Sequence, residues 1–399
     1  MSETFDSFFS LDSSSLRPSA IRRLAKVIAD PNVISFAGGV PSPDTFPAAE
    51  IAEIARRVIT EGAGRSLQYG ATKGLAGLRW KISEVCSARG IEAGHEDILV
   101  TTGSQQALSL IAMSILDPGD TIFVELPTYV GALSSMYGRR ARIVGVEQDE
   151  NGLVMESLES AIVRARDEGQ KIKAVYAIPN FQNPSGRLLS PERRERLLAL
   201  SSEHDFLVIE DDPYGEISWG SGETRPLRAR PQSDRVIYLG SFSKILAPGI
   251  RCGFIVAHPE LLGRFELAKE GADLCSSILD QSIVEGYLES GALPAQIERV
   301  RVFYRERWEA MDSALTRHMG GRASWTQAEG GLFTFLTLYR DVDTSECLED
   351  AVARGVAWIP GGAFFVDGSG SNTMRLTFAK ESPERIEEGV KLLGEIFDE

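Results

Sequence analysis

From about Asp97 the chain settles into one rhythm. Short apolar runs at Ile98–Thr101, Thr121–Val124, Arg142–Val146, Ala174–Ile178, Phe206–Ile209, Val236–Leu239 and Gly253–Ala257 alternate with helix-periodic segments such as Gln105–Leu116, Met155–Ala165 and Pro191–His204. That alternation predicts an α/β domain built on a mostly parallel, seven-stranded sheet. The runs are nearly continuous in apolar residues, which fits a sheet covered by helices on both faces.

The flanks read differently. Residues up to about Arg17 are polar and Ser-rich, as in a loose arm, and Ser19–Ala29 has helical periodicity ending at Pro31. Phe36–Pro47 (FAGGVPSPDTFP) is too rich in Gly and Pro for a regular element. Ala48–Ile59 and Leu75–Ala88 read as helices. After about Gly291 comes one long helix, Leu293–Thr316. Strands at Gly331–Thr337, Val356–Ile359 and Thr373–Phe378 follow, with helices at Ser345–Arg354 and Pro383–Phe397. The expected organisation is an N-terminal arm and pocket segment over 1–47, a large domain over 48–290 and a smaller α+β domain over 291–399.

Charge narrows the functional classes. With 42 basic and 57 acidic side chains the net charge is −15, which argues against nucleic acid and against an anionic lipid surface as partners. No run approaches the roughly 20 apolar residues of a membrane span. The opening residues lack the basic and apolar regions of a secretory signal. The cysteines (Cys86, Cys252, Cys275, Cys347) and histidines (His95, His204, His258, His318) are scattered, so neither a disulfide scaffold nor a metal site is expected and a reducing cytoplasm fits.

Ligands of open α/β sheets gather at the carboxyl ends of the strands. After Ile98–Thr101 stands Thr102-Gly103-Ser104-Gln105-Gln106 at a helix start, with Ser104 suited to capping and the free N–H groups suited to an anion. After Ala174–Ile178, Asn183-Pro184 is turn chemistry or an amide offered to a ligand. After Phe206–Ile209 come Glu210, Asp211 and Asp212, open to three readings: a metal site, a carboxylate held against a ligand cation, or a solvated turn. After Val236–Leu239, Lys244 lies between Ser241, Ser243 and Arg251. It is either an exposed lysine or an amine tuned for a Schiff base beside a phosphate cradle. Each site alone has an ordinary explanation. Together they supply an amine nucleophile, a phosphate cradle, a carboxylate and an amide, which are the needs of pyridoxal 5′-phosphate.

With those residues in place the sequence resembles the fold-type-I, pyridoxal-phosphate-dependent aminotransferases of class I/II, in the 2-aminoadipate/kynurenine (aromatic) branch. The resemblance runs from about Ser19 to the C-terminus. It rests on FAGGVPSPDTFP (36–47), TTGSQQAL (101–108), PTYVGA (127–132), FQNPSG (181–186), EDDPYGE (210–216), SFSKILAPGIRCG (241–253) and NTMRLTF (372–378). It implies a PLP transferase fold with large and small domains. Lys244 would be the Schiff-base and proton-shuttling lysine, and Asp211 the partner of the pyridinium nitrogen. Asn183 and Tyr214 would bind the cofactor's 3-oxygen, and Tyr129 would stack on its ring. Ser104, Gln105, Ser241, Ser243 and Arg251 would hold the phosphate. Tyr69 would reach the phosphate of a neighbouring subunit, making a homodimer. Arg375, with Asn183, would clamp the substrate carboxylate, and Gly38, Gly39 and Arg22 (or Arg23 beside it) would line the side-chain pocket. Asp280 stands where this branch more often carries asparagine.

The implied activity moves the α-amino group of a 2-aminoadipate, aromatic or branched-chain L-amino acid to a 2-oxo acid such as 2-oxoglutarate, by ping-pong kinetics in the cytoplasm. A β-lyase or decarboxylating enzyme would use the same cofactor site. The effector half of a PLP-binding transcription regulator fits less well, because few residues precede FAGG and the charge balance is acidic. In so acidic a chain, anionic ligands must be held by local positive groups such as Arg251, Arg375 and Arg22.

Overall fold

The computed structural model describes residues 5–17 and 30–398. Its strands are β1 (Ile34–Ser35), β2 (Ile98–Thr101), β3 (Thr121–Leu126), β4 (Arg142–Asp149), β5 (Gly152–Leu153), β6 (Ile172–Ala177) and β7 (Leu207–Asp211). Next come β8 (Val236–Ser241), β9 (Gly253–Val256), β10 (Ala323–Trp325), β11 (Phe333–Leu338), β12 (Val356–Ala357), β13 (Ile359–Pro360) and β14 (Thr373–Thr377). The large sheet runs β2-β9-β8-β7-β6-β3-β4-β5. Pairing is parallel from β8 through β4 and antiparallel at β2-β9, β9-β8 and β4-β5.

Both faces of the sheet are covered, which explains the unbroken apolar runs. Phe123, Val175, Val208 and Val236 point to one side and pack with the helices Met155–Asp167 and Pro191–His204. Their neighbours Ile122, Val124, Ala174, Tyr176, Ile209 and Ile237 join the main core on the other side. This inversion of face at every residue is the period of a strand.

The expected seven strands are corrected to eight. β4 continues past Val146 to Asp149 and turns through Glu150 and Asn151 into β5. The tail of β4 is polar and part-exposed, and β5 at the sheet edge is only two buried residues, so no apolar run marks either. A second correction concerns Val356–Ile359, which is not one strand. β12 pairs parallel with β1, while β13 pairs antiparallel with β14, and fully buried Trp358 stands at the change of sheet. A third concerns the loose arm. Leu11–Ser15 is a short helix capped by Ser10. It is pinned by Asp12 to Arg139 and Arg140 and by the Ser15 hydroxyl donating to the Tyr137 carbonyl. The expected helix Ser19–Ala29 lies outside the described residues.

The small sheet is β10-β11-β14-β13. The long helix Leu293–Met319 packs against Pro383–Ile396 behind it. Among the described residues, no helix is long and apolar enough to cross a membrane.

Candidate active site

One cavity of about 270 Å³ opens at the carboxyl ends of the central strands. Its lining includes Gly39, Ser104, Gln105, Tyr129, Asn183, Asp211, Tyr214, Ser241, Ser243, Lys244, Arg251 and Arg375. Residues from near both ends of the chain thus meet in one space. Gly38 is buried next to Gly39 but is not part of the lining. Tyr69 is 78% exposed and stands apart from this cavity. Arg22 and Arg23 lie outside the described residues.

The helix Ser104–Ile115 begins differently from the sequence reading. Ser104 is its first residue, and the cap position belongs to Gly103 at φ 74°, without any side-chain cap. Only glycine adopts that angle cheaply, and a Cβ there would lie 2.5 Å from the Arg251 guanidinium. The uncapped first turn therefore presents N–H groups and the positive end of the helix dipole to the cavity beside Arg251. Ser241 Oγ accepts from the Ser243 N–H at 3.1 Å on the same side.

The carboxylates of β7 and its end are separated by their partners. Glu210 is fully buried and accepts from the Leu227 and Arg228 N–H groups at 2.7 and 2.9 Å. Asp212 accepts from Arg89, Asn180 and Tyr238. Asp211 accepts from the Tyr176 hydroxyl at 2.9 Å through Oδ2, while its buried Oδ1 has no protein donor. Burial pushes the Asp211 carboxyl up to about 7, with Asp212 adding to the rise against the pull of Tyr176 and Lys244. A buried acceptor left without a donor is costly, and a cationic N–H aimed at Oδ1 removes that cost. Neither a solvated turn nor a metal cluster describes this triplet: all three carboxylates are buried, and no group of three potential metal ligands is found among the described residues.

Lys244 donates to the Gly39 carbonyl at 3.1 Å. Burial lowers its ammonium to about 8, helped by the cations Arg375 and Arg251 and opposed by Asp211. Arg375 is almost fully buried and bonds the Asn183 carboxamide oxygen and the Ala37 carbonyl at 3.0 and 2.8 Å. Its guanidinium lies 4.3 Å from the centroid of the Phe333 ring. Burial lowers it to about 10, its Nε is unpaired, and no carboxylate among the described residues forms an ion pair with it. A carboxylate ligand would complete it.

Tyr176, Phe333 and Gln182 join the supporting structure of the site without having stood out in the sequence. Tyr176 carries the one side-chain hydroxyl in the apolar run Ala174–Ile178, which was a usable signal. The Gln182 amide donates to Glu125 and to the Pro127 carbonyl, joining the Asn183 turn to the Tyr129 segment. Glu125 is the residue immediately after the expected strand Thr121–Val124. Asp280, in the first turn of Ile278–Glu289, lines a separate small cavity with Thr102, Arg251 and Ser276.

These residues fit pyridoxal 5′-phosphate. An uncapped helix start with an arginine suits the phosphate, the unsatisfied Asp211 oxygen suits a protonated ring nitrogen, and a lysine of lowered pKa suits the aldehyde. Fold and site together define a fold-type-I, pyridoxal-phosphate-dependent enzyme.

The family model described as aminotransferase class I and II matches residues 31–393. The aromatic-amino-acid aminotransferase 1 of Thermococcus litoralis is 43% identical over 396 residues, covering 99% of this chain and 95% of the relative. The kynurenine aminotransferase of Pyrococcus horikoshii, solved in complex with PMP, is 40% identical with a TM-score of 0.94 over 98% of this chain and 97% of that one. The α-aminoadipate aminotransferase of Thermus thermophilus, solved with N-(5′-phosphopyridoxyl)-L-leucine, is 37% identical with a TM-score of 0.92 over 99% and 98%. The chain belongs to the class I and II aminotransferases, and its cofactor is pyridoxal 5′-phosphate.

Proposed function

We propose that this aminotransferase moves the α-amino group of an aromatic, 2-aminoadipate or branched-chain L-amino acid to a 2-oxo acid, with 2-oxoglutarate as the usual acceptor. The observation that carries the substrate reading is Arg375, a buried cation without an acidic partner among the described residues, lining the same cavity as Lys244. The relatives' printed substrates, aromatic amino acids, kynurenine and α-aminoadipate, support the range of donors.

Bound pyridoxal phosphate supplies an electrophilic aldehyde and a ring that accepts electrons. The protein supplies position and proton transfer. Arg375 holds the α-carboxylate through paired N–H groups. Lys244, with its pKa lowered to about 8, is uncharged far more often than a free lysine and would carry the proton from the substrate Cα to C4′ of the cofactor. Asp211 keeps the ring nitrogen protonated, Asn183 and Tyr214 hold the 3-oxygen, and Tyr129 packs on the ring. Ser104, Gln105, Ser241, Ser243 and Arg251 hold the phosphate.

The active unit in this reading is a cytoplasmic homodimer. Arg251 and Tyr69 are both exposed on one protomer, consistent with Tyr69 of each copy completing the phosphate site of the other. In this reading Gly39 lines the side-chain pocket with Gly38 buried behind it, and Arg22 or Arg23 supplies the cation for a distal carboxylate.

A panel of amino donors against 2-oxoglutarate tests the substrate reading, with initial velocities at several acceptor concentrations. Parallel double-reciprocal lines support two separate half-reactions. Release of ammonia and a keto acid from the donor alone indicates a lyase instead. Arg22→Ala is expected to impair 2-aminoadipate far more than phenylalanine, and equal losses refute the Arg22 role. Sedimentation of the holoenzyme tests the dimer.

A further inference from the structure

The turn that presents the phosphate site hangs on an ion pair between a buried lysine and a partly exposed aspartate that takes no part in the chemistry. Thr102, just before Gly103, has its polar groups engaged on three sides. Its N–H donates to Gln106 Oε1 at 2.7 Å, its carbonyl accepts from Arg251 at 3.2 Å, and its hydroxyl lies 2.9 Å from the Ser276 hydroxyl. Behind Gln106 and Ser276 sits Lys269, completely buried near the end of the helix Pro259–Asp273. Its ammonium donates to Gln106 Oε1 at 3.1 Å, to both Asp273 oxygens at 2.8 Å and to Ser276 Oγ at 2.9 Å. The Gln106 amide in turn donates to Asp273 at 2.6 Å.

Stability is a poor explanation for a charge in that place. With Asp273 partly exposed the attraction is screened, while Lys269 still loses its hydration, so the pair adds little to stability. What this pair does is geometric. Gln106 and Thr102 bracket Gly103, Ser104 and Gln105, and both are fixed by groups that trace back to Lys269 and Asp273. The same Thr102 holds Arg251. Because the pair is neutral overall, its effect on an anion comes through placement rather than net charge.

We propose that Lys269 and Asp273 are positioning residues for the cofactor phosphate, acting through Gln106 and Thr102 on the Ser104 and Gln105 N–H groups and on Arg251. The proposal rests on the phosphate site described above. Its specific consequence is that the pair matters only to ligands bearing a phosphate.

The test compares pyridoxal phosphate with pyridoxal, which lacks the phosphate, in binding titrations of the apoenzyme followed by absorbance. Lys269→Met/Asp273→Leu is expected to weaken pyridoxal phosphate roughly ten- to a hundredfold, the usual scale for losing groups that orient ligating residues. Pyridoxal affinity should stay within about twofold, and calorimetry should show inorganic phosphate weakened in step. Equal weakening of both aldehydes, or of neither, overturns the proposal. Gln106→Leu removes the same linkage without altering the helix Pro259–Asp273, should reproduce the split, and decides the matter if the double variant does not fold. A wild-type protein that binds the two aldehydes equally well would instead overturn the phosphate site itself.

Discussion

Arg375 donates a hydrogen bond to the Asn183 carboxamide oxygen at 3.0 Å. Asn183 and Tyr214 line the same cavity, where both are proposed to bind the cofactor's 3-oxygen. The proposed carboxylate clamp and the proposed cofactor clamp thus share one side chain. A disturbance at Arg375 should register in substrate binding first and reach the cofactor only through Asn183.

Arg375→Lys keeps the charge but loses the planar fork that pairs with a carboxylate. A hydrogen bond to a charged group contributes about 1.5–3 kcal/mol, so the loss of one lowers kcat/KM for every amino donor by roughly ten- to a hundredfold. The change should fall mainly on KM, with cofactor affinity altered by no more than about twofold. Steady-state kinetics beside a cofactor titration check this, and an unchanged KM rejects it.

Asp211 carries the opposite balance of function and stability. In the cofactor-free protein its carboxyl is raised from 3.8 to about 7 by burial. The folded state therefore holds a proton that the unfolded chain releases, so this carboxyl's contribution to stability is full below about pH 3.8 and is lost as pH rises toward 7. Asp211→Asn removes this loss. The apo variant should match or exceed wild type at pH 8, with the advantage vanishing toward pH 4. Added pyridoxal phosphate should raise the melting temperature of wild type more than that of the variant, and activity should fall by roughly a hundred- to a thousandfold, the range for loss of electrostatic support. Melting curves across pH, with and without cofactor, separate the two effects.

The site was legible in the sequence wherever chemistry followed directly on an apolar run. Ser104, Asn183, Asp211 and Lys244 all lie just beyond such a run, and an α/β sheet gathers those ends in one place. What escaped depends on partners distant in the chain. Nothing near Lys269 in the sequence marks it, because its partner Gln106 lies 163 residues away. Glu125 looks like the end of a strand until its neighbours are known. β5 is only two residues, too short for periodicity to find, and Ser104 falls one place inside the helix because Gly103 takes the cap position.

Glu125 gives a second pH prediction of the same sign. Its buried carboxyl accepts from the Ile178 N–H and the Gln182 amide at 2.9 and 3.2 Å, and burial raises it from 4.5 to about 8. It is protonated in the fold at neutral pH, so its contribution is full below about pH 4.5 and declines as pH climbs to 8. Glu125→Gln preserves shape and one acceptor oxygen. Denaturant midpoints of the variant should fall less than those of wild type between pH 5 and pH 8. Parallel profiles would show that this carboxyl does not titrate in that range.

Asp212 adjoins Asp211 in sequence but belongs to the scaffold. Its carboxylate is completely buried against Arg89, which also reaches Glu216 and the Thr224 carbonyl. Arg89→Met leaves Asp212 buried without its cation, a change that costs about 3–5 kcal/mol. Arg89→Met/Asp212→Leu removes both charges and should recover part of that loss, because no unpaired charge remains. The variant of Asp211 is expected to be stable and inactive. Arg89→Met should be destabilised yet keep most of its kcat at temperatures where it stays folded, since neither Arg89 nor Asp212 lines the cavity. Denaturation midpoints and kcat measured on the same preparations distinguish the two carboxylates. If Arg89→Met lost kcat without losing stability, the division between them would be wrong.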